Sequence, residues 1–180
     1  GGLSRPPLAF SDSGLNSPLD WSASFEFRAQ TLKRFNPLPF LLQLLLEVQG
    51  LRVQGGALYT VLAELYSNAL EHGVLGLDST LKCDAEGFTQ YYRQRGRRLA
   101  ELKDGYVRFH LELLPQVDGG VLRVRVEDSG AGFDVTGALN GSQVSTGLSG
   151  RGLRLVRQLT RHCEWSADGR GVSVEFCWPA

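Results

Sequence analysis

Three short stretches of this chain hold residue types that could do chemistry at spacings able to bring them together. The first is Glu64-Leu65-Tyr66-Ser67-Asn68-Ala69-Leu70-Glu71-His72-Gly73, where Glu64, Asn68 and Glu71 recur at i, i+4 and i+7. On a helix those side chains emerge along one stripe, offset from the Leu58, Leu62, Leu65 and Ala69 face. A carboxylate one turn from a carboxamide sets a proton acceptor beside an oxygen ligand for a hard cation such as Mg²⁺. A plain solvated helix face has the same composition, so the stripe alone does not choose.

The second stretch, Glu127-Asp128-Ser129-Gly130-Ala131-Gly132-Phe133-Asp134, closes a strand pattern. The strand fixes Asp128, and Gly130 and Gly132 let backbone come close to a flat ligand. A carboxylate acceptor with backbone close by suits the exocyclic amine of adenine; Asp-Ser-Gly also makes an ordinary β-turn. The third stretch, Gly147-Leu148-Ser149-Gly150-Arg151-Gly152-Leu153, leads straight into a helical pattern. Free N–H groups, the positive end of the helix dipole and missing side chains would there cradle a phosphate. It fits neither a GxGxxG after a strand nor a GxxxxGK[ST], so it is neither a Rossmann fingerprint nor a P-loop.

The elements that must position these residues follow from periodicity. Ser22 to Thr31 alternates strictly, with Ala23, Phe25, Phe27 and Ala29 on one side, which predicts a half-buried strand. Asn36-Pro37 breaks it, and Pro39 suits the first turn of a short apolar helix running to about Val48. A long helix is expected over Ala57 to His72, with Leu58, Val61, Leu62, Leu65 and Ala69 as its apolar stripe. Residues 73 to 104 read as a loop and then a helix with Phe88, Tyr92, Leu99 and Leu102 on its buried side. Tyr106 to Leu114 and Leu122, Val124 and Val126 alternate again, joined at Asp118-Gly119-Gly120. After the glycine-rich interval come a helix through Arg161 and two strands flanking Asp168-Gly169-Arg170-Gly171. Each strand has one apolar and one polar edge. The class is therefore α+β, a mostly antiparallel sheet with helices on a single face.

Composition bounds the function. The 180 residues suffice for one domain, and 42% hydrophobic with 21% charged is a globular balance. Nineteen basic and nineteen acidic residues cancel, which argues against a dedicated nucleic-acid binder. Cys83, Cys163 and Cys177 are odd in number and form no metal-type pair, which suits a reducing cytoplasm. The apolar run Leu38 to Leu46 is too short to span a bilayer, and no signal peptide opens the chain. Residues 1 to 20 read as a Gly/Ser/Pro-rich linker, and the lack of any methionine leads us to expect a segment of a longer protein.

In order and spacing the three stretches resemble the N box and the two glycine boxes of the GHKL ATPases, the superfamily of gyrase, MutL and histidine kinases. The resemblance runs over residues 22 to 178. It implies a Bergerat-type two-layer α/β sandwich with a mixed, mostly antiparallel sheet, filling 21–180 with a helical insertion at about 74–104. Within the superfamily the chain is most similar to the bacterial anti-sigma-factor serine/threonine kinases. They too pair Glu-x-x-x-Asn-Ala with His-Gly, as Glu64, Asn68, Ala69, His72 and Gly73 do here. Histidine kinases usually have Asn at the place of Glu64 and need a phosphoacceptor His upstream; none precedes His72.

The resemblance implies ATP and Mg²⁺ as cofactors. Glu64 would be the general base, Asn68 the Mg²⁺ ligand, and Asp128 the acceptor for the adenine amine. Gly130 and Gly132 would shape the base pocket, residues 135–149 would form a lid, and Gly150 and Gly152 would contact phosphate. Ser173 would reach adenine through water. The implied partner is a STAS-type anti-sigma-factor antagonist, or a sigma factor, met in the cytoplasm and away from membranes. Two other readings stay open: a non-catalytic ATP-binding module that sequesters such a partner, and the ATP-binding half of a histidine kinase. The 74–104 insertion would be a partner-binding or homodimer element, or padding for the sheet. His72 would bond locally and His110 would lie at the surface.

Overall fold

Alternation builds the sheet. In a computed structural model, which describes residues 20–132 and 150–179, the strands are β1 (Trp21–Arg28), β2 (Tyr106–Gln116), β3 (Gly119–Asp128), β4 (Arg161–Trp165) and β5 (Gly171–Pro179). They join in the order β1-β2-β3-β5-β4, each neighbouring pair antiparallel. The sheet expected to be mixed and mostly antiparallel is thus antiparallel throughout its described strands. The linker expected over 1–20 (Asp20 apart) and the lid expected over 135–149 lie outside the described residues.

One sheet face is apolar. Val107, Phe109 and Leu111 of β2, Leu122, Val124 and Val126 of β3, and Val172, Val174 and Phe176 of β5 are buried in one cluster with Leu58, Leu62 and Leu65 from a helix above. The opposite face is laced with charges in alternating rows. Glu26, Arg108 and Glu127 stand side by side across β1, β2 and β3, and Glu112, Arg123, Glu175 and Arg161 across β2, β3, β5 and β4. Ion pairs run along both rows, such as Arg108 to Glu127 at 3.0 Å and Arg161 to Glu175 at 2.8 Å. Within these two rows opposite signs face each other, which avoids the cost of like charges directly opposed.

The helical layer comprises α1 (Ala29–Arg34), α2 (Pro37–Leu46), α3 (Gly55–Ser67), α4 (Ala85–Ala100) and α5 (Gly150–Leu159). β1 ends at Arg28 and not at Thr31, because Ala29 and Leu32, three apart, are both buried by α1. α2 starts at Pro37, with Asn36 accepting from the Leu38 N–H at 3.1 Å as its N-cap. The long helix expected over Ala57 to His72 is two pieces: α3, then a π-helical segment, Asn68–Val74. Among the described residues no helix is long and apolar enough to cross a membrane.

The wider π turn breaks the 3.6-residue stripe, and Glu71 leaves the company of Asn68. Glu71 is only 7% exposed. The Tyr91 hydroxyl donates to it at 2.5 Å, Ser67 Oγ at 3.1 Å and Arg95 Nε at 3.2 Å, with Lys82 Nζ at 3.7 Å. Burial alone would raise its pKa, but these donors and cations together hold the carboxyl below the usual range. On α4, Phe88 and Tyr92 are half exposed, at 49% and 47%, while Tyr91 between them is fully buried. The first half of the expected stripe is thus displaced, because Glu71 draws the Tyr91 hydroxyl inward, while Leu99 and Leu102 pack against the core as expected. Arg98 Nη1 also donates to the Leu75 and Gly76 carbonyls, both at 2.9 Å, so the insertion is fastened to the π-helical segment and its exit.

Candidate functional site

Where the π-helical segment crosses the ends of β3 and β5, the apolar layer opens into a cleft of about 300 Å³. That is the lower end of the size range of small-ligand pockets. Leu65, Val126 and Val172 give it apolar walls; Asn68, His72, Asp128 and Arg170 bring polar groups into it.

Asp128 continues the inward face of Leu122, Val124 and Val126, so the last residue of β3 delivers a carboxylate into the layer that otherwise holds hydrocarbon. It is 9% exposed. Its own N–H donates to the Arg170 carbonyl at 2.9 Å, and the Gly130 N–H donates to its Oδ1 at 2.8 Å. Burial pushes the carboxyl up to about 6, against the opposing pull of the Gly130 N–H and Arg170. A carboxyl so placed, with one oxygen held by backbone, is poised to accept from a ligand's donor.

The glycines around it are there for close approach. A Cβ on Gly73 would lie 2.3–2.5 Å from the Asp128 carboxylate, and one on Gly130 would lie 2.2 Å from the Gly73 carbonyl oxygen. Gly132 has φ +77°, and a Cβ there would meet the Asp168 carbonyl oxygen at 2.1 Å. Gly73→Ala therefore pushes a methyl into the carboxylate that faces the cleft. Overpacking of this kind costs about 1–3 kcal/mol, which predicts roughly 5- to 150-fold weaker binding, by calorimetric titration, of the nucleotide that the sequence resemblance implies.

Of the residues expected at the site, Asn68, Asp128 and Gly132 line the cleft together. Gly130 does not line it but fixes Asp128. Glu64 is half-buried one turn before Asn68 on α3 and is not among the lining residues. Gly150 and Gly152 lie in the first turn of α5, and neither lines the cleft. Ser173 is on the wrong face. It alternates with Val172, which lines the cleft, and so stands on the opposite side of β5 between Arg125 and Glu164. His72 does bond locally, Nδ1 donating to the Leu77 carbonyl at 2.8 Å, and burial lowers its pKa toward the neutral form. His110, expected at the surface, is half-buried beside Ser24.

Sequence reasoning missed Arg170, Gly169 and Trp165, which the β4–β5 hairpin carries to the cleft. The hairpin turn is tied by Asp168 Oδ1, which accepts from Ser166 Oγ at 2.6 Å and the Arg170 N–H at 3.0 Å. Asp168-Gly169-Arg170-Gly171 was legible as a turn, but nothing local to it pointed at Asp128. Asp78, another lining residue, caps the 3₁₀ helix Ser79–Cys83, and its hydrogen bonds from Thr80 hold its carboxyl below the usual range. Among the described residues no three or more His, Cys, Asp or Glu gather as metal ligands.

The family model described as histidine kinase-like ATPase domain matches residues 53–178 of the chain. That span contains every residue placed at the cleft. No curated protein matches the chain.

Proposed function

The chain belongs to the histidine kinase-like ATPase domain family, and from that premise we propose that it is an ATP-dependent protein serine/threonine kinase acting on a STAS-type anti-sigma-factor antagonist. The chain is an ATP-binding domain. The adenine amine would donate to the Asp128 oxygen that Gly130 leaves open, between the apolar walls of Val126 and Val172. The phosphates would extend toward Asn68 and the N-terminal turn of α5, where Gly150 and Gly152 bring no side chain in the way.

Asn68 fits a Mg²⁺ site of the kind that phosphate-bridging ions use. Asn68 lines the cleft and would offer its carboxamide oxygen, with nucleotide phosphates and water completing the coordination. The ion would supply charge neutralisation to the transferring phosphoryl group.

The observation that carries the kinase reading is the pairing of Asn68, in the cleft, with Glu64 one turn behind it on the same helix. In the transfer, the acceptor hydroxyl oxygen forms a bond to the γ-phosphorus as the bond to the β–γ bridging oxygen breaks. ADP leaves, and the hydroxyl proton passes to the Glu64 carboxylate. Positioning and charge neutralisation dominate such reactions, so one carboxylate base suffices when the acceptor is delivered by a partner.

The test is incubation with γ-phosphate-labelled ATP, Mg²⁺ and a purified STAS-type antagonist. Acid-stable phosphate on a serine or threonine of the antagonist is the expected result. ATP binding with no transfer would leave the sequestering module, and acid-labile phosphate would point to histidine chemistry.

A further inference from the structure

α3 separates the nucleotide cleft from a second cavity, of about 340 Å³, on its opposite flank. Leu65 and Asn68 line the first; Ala63 and Ser67 line the second. At about 100° per residue, Glu64 falls between these two pairs and lines neither cavity. It stands on the ridge that divides them.

The second cavity is basic. The end of α1 gives it Lys33 and Arg34, and α4 gives it Arg95. Its one acidic lining residue, Glu71, already accepts from Tyr91, Arg95 and Ser67. The ion pairs formed among the described residues engage Arg95 but neither Lys33 nor Arg34. Phe35, 42% exposed, adds an apolar surface at the same place. Lys33 and Arg34, held at a cavity whose acid is already engaged by Arg95, are complementary to a negatively charged partner.

We propose that this cavity is the docking subsite for an acidic segment of the protein substrate, which lays its acceptor hydroxyl over the α3 ridge at Glu64. The proposal rests on the phosphoryl-transfer reading for the word acceptor, but the acidic-segment site stands on the cavity and its charges. Geometry sets the spacing. A helix with its side chains is about 10–12 Å across, and an extended chain advances about 3.3 Å per residue. The acidic residues therefore lie about three positions from the acceptor serine or threonine.

Two synthetic peptides test this with the 180-residue chain and Mg²⁺-ATP. Both carry a serine; one has Asp and Glu about three and four positions away, the other has Lys at those places. Binding is read by NMR shifts of Lys33, Arg34 and Arg95, and phosphate on the serine by mass spectrometry. The acidic peptide is expected to bind, more weakly as salt rises, and the lysine peptide is not. Lys33→Glu with Arg34→Glu, both away from the nucleotide cleft, is expected to weaken acidic-peptide binding about tenfold or more. ATP affinity and melting temperature in the same variant report that the fold is intact. No binding of the acidic peptide, or binding that survives the charge reversal, overturns the subsite. Binding that follows the charges while the serine stays unphosphorylated upholds the acidic-segment site and overturns the transfer reading.

Discussion

Asp128→Asn weakens ATP binding at least about fivefold and, at the same time, stabilises the nucleotide-free protein above pH 6. Both effects come from the same two oxygens. Oδ1 accepts from the Gly130 N–H at 2.8 Å, and the second oxygen is left for the adenine amine. A carboxamide has one oxygen for those two donors, so its NH₂ must face one of them. An unsatisfied donor at a buried site costs about 1–3 kcal/mol, hence about 5- to 150-fold in affinity.

The stability gain follows from the raised pKa. Burial puts the native carboxyl at about 6, against 3.8 for an ordinary aspartate. Between those values the native state holds the proton more tightly than the unfolded chain does. Its stability therefore falls as pH rises from about 4 to about 6 and stays at the lower level above. The whole difference corresponds to at most about 3 kcal/mol. Asn removes it, so the variant should melt higher than the parent at pH 8 and match it near pH 4. ATP affinity of the parent should itself decline below pH 6, as the protonated carboxyl stops accepting, while that of the variant stays flat. Calorimetric titrations and thermal melts across this range check both arms. Equal ATP affinity in parent and variant at pH 8 would remove Asp128 from the base-binding role.

Asp128 could be read from the sequence because it obeys a period. It is the next inward position after Leu122, Val124 and Val126, and the glycines that follow announce a turn. The sheet was legible for the same reason, each strand burying alternate residues against the helices. The same rule read one residue further places Ser173 on the outer face, away from the cleft. What periodicity could not show is the interlock of Gly73 with Asp128 and Gly130. Those contacts join residues far apart in the chain, and glycine in a His-Gly helix ending looks like any helix terminus.

Glu71 was misplaced for a different reason. Its assignment to a polar stripe assumed an α-helix through His72, and the π-helical turn from Asn68 to Val74 re-aims it toward α4. No local propensity marks that turn. It is stabilised by partners 20 and 24 residues away, Tyr91 and Arg95, which also explains why Tyr91 and not its neighbours is buried. Arg170 was missed because its relevance depends on the hairpin that pairs Gly171 with Glu127, next to Asp128. In each case the missing information is tertiary.

Glu64→Gln separates the proposed general base from its neighbours. Glutamine keeps the size and helix propensity of glutamate and loses only the ability to take a proton. Loss of a positioned general base costs about 10²- to 10⁴-fold in transfer rate. Glu64 does not line the cleft, so the affinity for Mg²⁺-ATP should stay within about twofold, and folding stability within about 0.5 kcal/mol, as for surface changes. Asn68→Ala should behave otherwise, lowering Mg²⁺-ATP affinity as well as rate, because Asn68 lines the cleft. The split between the two variants is the diagnostic. Glu64→Asp keeps the carboxylate but withdraws it by one methylene, and a misplacement on the order of 1 Å can cost about 100-fold. An intermediate rate for Glu64→Asp, between parent and Glu64→Gln, would show that both charge and reach matter. Full transfer by Glu64→Gln, on a confirmed acceptor, would mean that the proton leaves by another route and that the ridge over α3 serves binding alone.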